Sequence, residues 1–367
     1  MPNHNPINER IKRQYLTFLK EAKRQSEATV DDVANALAAF EKDTKWRDFR
    51  AFRHEEAVAF RRHLAERLSQ KIGAKLSKAT MHATLAHLRR FFQWLAGQPG
   101  FKSKLTYSDA EYFSLSEKDS RVATARRPTR FPTIEQVKHV LATMPSATDV
   151  ERRDRALVAF VLLTGARDSA VVSMRLKHVD LTSSSVSQDA REVKTKFSKT
   201  FTTYFFPVGD DVRRIVEEWV RYLREKKLWG NDDPLFPSTA VAPGVEQHFE
   251  VVGLKRVHWS SAAPIRTIFR QAFEAAGLPY FNPHSLRNTL VQLGQQQCQT
   301  PEQFKAWSQN LGHEEVLTTL YSYGYVAPQR QGEIIQALGE PRQADKSDAE
   351  AIAAAVARHL RSSGTTA

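Results

Sequence analysis

Apolar positions along the first hundred residues recur at the three- and four-residue intervals of amphipathic helices. Tyr15, Phe18 and Leu19 mark one face, and Val33, Leu37 and Phe40 mark a second behind Thr29, an N-cap type. A third helix is predicted over residues 55–68. The fourth pattern is the clearest: Ser77 stands where a cap is needed, Met81, Leu85, Leu88, Phe92 and Leu95 follow at helical spacing, and Gly97 can close the helix. From Ser114 to Pro132 the periodicity lapses. It resumes at Thr133, whose Gln136 completes a capping box. The next helix, over about 154–164, is almost wholly apolar in its second half and stops at Gly165, the pattern of a buried central helix. Between about 181 and 208 the pattern turns β-like: residues 191–196 alternate, a polar break follows, and 201–206 are aromatic and β-branched, which predicts an antiparallel hairpin. Helices are predicted again over about 211–226, 265–276, 284–297 and 302–309, the last begun by Thr300-Pro301 with Gln303, and a short Ala-rich one over 349–360. The fold class is therefore mainly α with a small antiparallel β-sheet (α+β). Four parts are expected: a helical domain 1–113, a basic linker 114–132, a second domain 133–340, and a tail 341–367 with one short helix.

Composition narrows the classes open to such a chain. Its 367 residues suggest two domains, and 41% hydrophobic and 10% aromatic residues suffice for two cores. The single cysteine, Cys298, excludes an intrachain disulfide and every Cys-rich zinc module, and fits a reducing compartment. The polar stretch Met1 to Arg13 is no secretory signal, and the longest strongly apolar run, Ala156 to Leu163, is too short to cross a bilayer. A cytoplasmic location with no membrane partner is expected. The net charge is +13, which points to nucleic acid. Its distribution says more: residues 1–130 carry a net +11, residues 131–340 a net +1 and the last 27 residues +1. The basic surface thus belongs to the N-terminal third, where Lys75, Lys78, Arg89 and Arg90 accompany the fourth helix and Arg126, Arg127 and Arg130 crowd the linker. These seven are the candidate DNA-backbone contacts.

Four clusters in the second part place a cationic or nucleophilic side chain at an element boundary. In Thr164-Gly165-Ala166-Arg167-Asp168 an arginine follows directly on the end of the buried helix, held at the edge of the core as a bidentate phosphate ligand should be. His284 and Arg287, three residues apart, can address one point. Leu311-Gly312-His313 follows a helix, and Tyr321 and Tyr323 come within ten residues of it. Each cluster alone is commonplace, since a lone Arg is usually an ion pair and a lone His a structural residue.

In this order they resemble the tyrosine recombinase (phage integrase) family, whose signature is an Arg after a Thr-Gly turn, a Lys on a β-hairpin, His-x-x-Arg, Leu-Gly-His and then a tyrosine. The resemblance covers about residues 130–340, and the helical N-terminal part is more loosely similar to the family's core-binding domain. It implies site-specific DNA recombination or integration through a covalent 3′-phosphotyrosine, with no cofactor and no metal. Arg167 and Arg287 would neutralise the phosphate as the pentacoordinate transition state forms, and His284 would be the acid/base partner of the attacking phenol. His313 would donate a hydrogen bond to the phosphate, and a hairpin lysine would protonate the leaving 5′-oxygen. Among Lys194, Lys196 and Lys199, Lys196 is favoured because it closes the predicted first strand; Lys199, eight residues before Pro207, is the alternative. Tyr323 is favoured as nucleophile for its Ser322-Tyr323-Gly324 setting, with Tyr321 the alternative. The family also implies double-stranded DNA held in a C-shaped clamp, a tetramer on paired sites, with the chain beyond Gly324 docking on a neighbour, and accessory DNA-bending or directionality proteins. Two rivals share parts of this pattern: a type IB topoisomerase-like relaxing enzyme, and a DNA-binding protein without catalysis.

Overall fold

The computed structural model describes residues 4–68, 73–125, 130–243 and 248–313. The chain divides into two compact units, Met1–Arg126 and Arg127–Ala367. Both are mostly helical, and the sheets are small and antiparallel.

The first unit is built from α1 (Pro6–Thr17), α2 (Glu27–Asp43), α3 (His54–Glu66), α4 (Lys78–Ala96), α5 (Tyr107–Glu111) and α6 (Glu117–Thr124). Capping decides where these helices start. Ser77 Oγ accepts the Thr80 N–H at 3.1 Å, as its position predicts, and Gly97 closes α4. In α2 the cap is Ser26, which accepts the Thr29 N–H, and not Thr29; the helix begins one turn earlier because its first turn is polar and leaves no hydrophobic signal. The apolar faces converge on Phe40, whose ring meets Phe52, Phe60, Phe92 and Phe113 at centroid separations of 5.3–6.2 Å. The aperiodic stretch after Ser114 contains α6, capped by Ser116 and tied to α4 by Lys78–Asp119 at 3.1 Å. None of its residues is buried, so it carried no hydrophobic stripe to read.

In the second unit, α7 (Ile134–Thr143) opens with the expected Thr133/Gln136 box, and α8 (Asp149–Thr164) with a second box, Thr148/Glu151, which lengthens it by a turn and a half over the predicted span. Every residue of α8 from Ala156 to Thr164 is buried, so it is the central helix around which the others pack. It ends at Gly165 in the left-handed conformation (φ 62°). After α9 (Asp168–Ser173) comes a three-stranded meander of β1 (Val179–Asp180), β2 (Ser185–Gln188) and β3 (Phe201–Tyr204), with Gln188 opposite Phe201. The alternating residues 191–196 are thus not the first strand of the hairpin. They form turns, because Asp189 O accepts the N–H groups of both Glu192 and Val193, and Val193 dips into the core at 2% exposure. Lys196 accordingly stands in a short 3-10 turn, Lys196–Ser198, within the β2–β3 connection.

Helix α10 (Asp210–Arg221) leads through a second, unpredicted hairpin, β4 (Ser238–Pro243) with β5 (Phe249–Lys255), to α11 (Ala263–Ala275), α12 (Ser285–Gln297) and α13 (Pro301–Asn310). Two clasps fix the sheet to the helices. The Phe206 N–H donates to Leu163 O at the end of α8. At the end of α13, Asn310 Oδ1 accepts the Tyr204 N–H (2.7 Å) and its Nδ2 donates to Tyr204 O (2.9 Å).

Candidate active site

Three helix ends and one loop meet around Arg287. The buried helix α8 must stop where Gly165 turns left-handed, and Thr164 stabilises the turn by accepting the Ala166 N–H at 3.2 Å. That turn delivers Arg167 to the N-cap position of α9, half-buried, while its neighbour Asp168 binds Arg266 at 2.8 Å. His284 is the N-cap of α12, one turn before Arg287, so the three-residue spacing brings them together as predicted. Arg287 is only 5% exposed: Nη1 donates to Gly165 O at 2.5 Å, and Nη2 to Leu311 O and to His313 Nε2 at 3.0 Å. The Gly165 turn, α12 and the end of α13 are therefore joined through one guanidinium. Among the described residues no carboxylate pairs with Arg287, and Arg167 makes no side-chain hydrogen bond.

The electrostatics follow from that surplus of positive charge. Burial pushes the Arg287 pKa down to about 9, with Arg167 adding to the shift, and the group still carries its charge at neutral pH. His313 is depressed to about 4, by desolvation first and then by Arg287, Arg167, His284 and Lys199. His284 is lowered for the same reasons, desolvation leading, then Arg287 and Arg167, with Asp168 opposing and Lys196 adding. The His284 residue is itself exposed. Both histidines are neutral at pH 7. Because Arg287 can only donate, His313 Nε2 must accept, which places the ring proton on Nδ1.

Two of the three lysines of the β2–β3 connection act on this centre, Lys196 on His284 and Lys199 on His313. Lys199 also lines a cleft of about 620 Å³ with Phe201, Asn310, Gly312 and His313. The Lys194 N–H donates to Ser173 Oγ. The tyrosines Tyr321 and Tyr323 lie outside the described residues, as do the expected helix 349–360, Arg126 and Arg127. Of the other candidate DNA contacts, Lys75, Arg90 and Arg130 are exposed, whereas Lys78 pairs with Asp119 and Arg89 with Glu111 at 3.3 Å. What sequence reasoning missed is the anchoring: the carbonyls of Gly165 and Leu311 hold Arg287, and every residue type has a carbonyl.

Two expected results test this geometry. A Cβ at Gly165 would stand 2.9 Å from Leu311 Cδ2 and 3.0 Å from Leu290 Cδ1, both on buried side chains, at a φ that L-residues avoid. Gly165→Ala should cost about 1–3 kcal/mol in denaturant unfolding, and slow catalysis because Gly165 O anchors Arg287; an unchanged midpoint and rate would contradict it. Second, a histidine held at about 4 when folded and near 6.5 when unfolded leaves the unfolded chain binding the extra proton. Its contribution is intact above pH 6.5 and declines as the pH falls towards 4. Wild type should therefore lose more stability over that window than His313→Gln, and parallel pH profiles would refute the assignment.

Among the described residues no helix is long and apolar enough to cross a membrane, and no group of three or more His, Cys, Asp or Glu side chains is placed to hold a metal. Residues 130–330 match the phage integrase family, and residues 13–98 match the phage integrase N-terminal SAM-like domain. Tyrosine recombinase XerC of Lactobacillus leichmannii is 23% identical over 314 residues, 84% of this chain and 92% of that protein. XerD of Proteus mirabilis is 28% identical over 166 residues, 44% of this chain and 46% of its own. Among solved structures, a lambda integrase dimer bound to a COC′ core site is 13% identical and covers 86% of this chain and 95% of its own, with a TM-score of 0.60. The Tn1549 transposon integrase in complex with transposon right-end DNA is 14% identical and covers 90% and 99%, with a TM-score of 0.53. With more than half its length matched in order, the chain belongs to the phage integrase family of tyrosine recombinases, enzymes that break and rejoin DNA.

Proposed function

We propose that the protein is a site-specific recombinase that integrates or excises a mobile element, working in the cytoplasm on the nucleoid. It cuts duplex DNA through a 3′-phosphotyrosine and rejoins it as a tetramer on paired sites. One observation carries the reading: Arg287 is buried beside Arg167 with two neutral histidines and, among the described residues, no carboxylate partner. Two uncompensated guanidiniums, one of them anchored by buried carbonyls, are complementary to an anion that gains charge in its transition state.

The step balances with the side chains assigned. The Tyr323 hydroxyl attacks phosphorus and its proton passes to neutral His284, while the bond to the 5′-oxygen breaks and that oxygen takes a proton from Lys196 or, in the alternative, Lys199. Arg167, Arg287 and His313 hold the non-bridging oxygens. The phosphotyrosine retains the bond energy, so a 5′-hydroxyl from a second DNA end reverses the step without a nucleotide cofactor. Domain 1–113 and the basic linker 114–132 supply the long-range grip on the backbone, since residues 1–130 hold +11 of the +13. A lambda integrase tetramer is known bound to a Holliday junction, which supports four protomers here.

The test is trapping on a duplex nicked beside the cleavage site, where the short 5′ fragment diffuses away. A covalent protein–DNA adduct is expected from the wild-type chain. No adduct on any cognate site would reduce the protein to a DNA-binding one, and efficient relaxation by a monomer without synapsis would favour a topoisomerase.

A further inference from the structure

The loop that carries the candidate lysines is fastened at its root to the rest of the catalytic unit. Glu192, four residues before Lys196, accepts from Lys177 Nζ at 2.7 Å through Oε1 and from His178 Nε2 at 2.8 Å through Oε2. His178 is 5% exposed, and its Nδ1 accepts the Arg175 N–H at 2.9 Å. A backbone N–H can only donate, so the ring proton must sit on Nε2 and point at Glu192. Val193 is buried next to it, and the Lys194 N–H donates to Ser173 Oγ at 2.8 Å. Lys177 is held in turn by Asp232 at 3.0 Å. Beyond Lys194 the chain runs through the 3-10 turn, with Ser198 at a φ of 51°, to Lys199 and β3. The root of the loop is therefore clamped to the segment after α9, and its tip is the part that faces the histidines.

We propose that the His178–Glu192 hydrogen bond is a positioning device for the lysine that protonates the leaving oxygen. His178 and Glu192 touch neither DNA nor the reacting atoms; they fix the point from which the lysine-bearing tip departs. The proposal rests on the reading that Lys196 or Lys199 is that proton donor. A short, tautomer-fixed bond whose histidine is buried suits the task, because proton transfer tolerates little misplacement of its donor.

The experiment compares two cleavage substrates in the full-length protein, one with the natural 5′-bridging oxygen and one with 5′-bridging sulfur. A thiol ionises near pH 8.5, so a thiolate leaves without a proton donor. Glu192→Ala should slow cleavage of the oxygen substrate by about 10- to 100-fold and leave the sulfur substrate untouched. Glu192→Gln, which keeps an acceptor for His178, should restore most of the rate. Equal slowing on both substrates, or none on either, overturns the proposal. Lys196→Ala and Lys199→Ala calibrate it. If sulfur rescues neither lysine variant, the lysine reading itself fails. If it rescues one of them but not Glu192→Ala, only the positioning role falls. Should Glu192→Ala unfold, His178→Leu, which removes the donor towards Glu192, gives the same comparison: slowing confined to the oxygen substrate supports the proposal, and equal slowing on both substrates or none on either refutes it.

Discussion

Arg287→Lys should lower the rate of covalent adduct formation by at least about 10²–10³-fold, the usual loss when one preorganised oxyanion donor is removed, and should destabilise the fold as well. The two effects share one cause. The guanidinium has five donors in a planar fork, enough to hold Gly165 O, Leu311 O and His313 Nε2 and still present an edge to a phosphate. An ammonium on a shorter stem cannot reach both carbonyls, and a buried carbonyl left without a partner costs about 1–3 kcal/mol. Arg167→Lys supplies the contrast. Among the described residues Arg167 makes no side-chain hydrogen bond, so its replacement should lower the rate by a similar factor at nearly constant thermal midpoint. Were both variants equally stable, Arg287 would be a ligand without the structural duty assigned to it.

This difference between the two arginines also marks what could be read from the sequence. The positions of Arg167, His284, Arg287 and His313 were legible because each follows a local boundary signal: a Thr-Gly stop, a Pro283 turn, a Leu-Gly end. Capping is equally local, a side-chain oxygen meeting an amide three residues on, and so Ser77, Thr133 and Thr300 were read correctly. The failures are non-local. Residues 191–196 alternate like a strand, yet Gln188 and not Lys196 is the last residue paired with β3, because register depends on the partner strand and on Val193 entering the core. The hairpin of β4 and β5 exists only through pairing across a turn, and its exposed Val241 and Val251 face each other without the alternation of a half-buried strand. The anchors of Arg287 and the clamp on Glu192 needed the tertiary structure, since carbonyls carry no sequence signal and His178 and Glu192 stand 14 residues apart.

The surplus positive charge has a single direction of effect on every titratable group near it. It lowers His284 and His313, which keeps both rings neutral, and it lowers Arg287 through Arg167. A phenol brought into the same field would shift with the same sign, towards phenolate, from its ordinary value near 10. A neutral His284 beside it is in the state that accepts a proton. These conditions serve whichever tyrosine arrives, so only substitution distinguishes the two candidates.

Tyr323→Phe should abolish the adduct on a nicked substrate while leaving DNA affinity unchanged, because the phenyl ring retains the packing and loses only the oxygen that forms the bond to phosphorus. Tyr321→Phe should still trap. Tyr323 is preferred because Gly324 follows it and loosens the backbone on which the nucleophile must swing to reach an in-line position. It stands ten residues beyond His313, and Tyr321 eight, and both lengths can span to the same phosphate. The discriminating readout is which of the two variants still forms the adduct. If Tyr321→Phe is a packing change, it lowers the rate evenly across pH. If it removes the nucleophile, the adduct disappears at every pH and returns in Tyr323→Phe, which would transfer the role to Tyr321 without disturbing the arginine and histidine assignments.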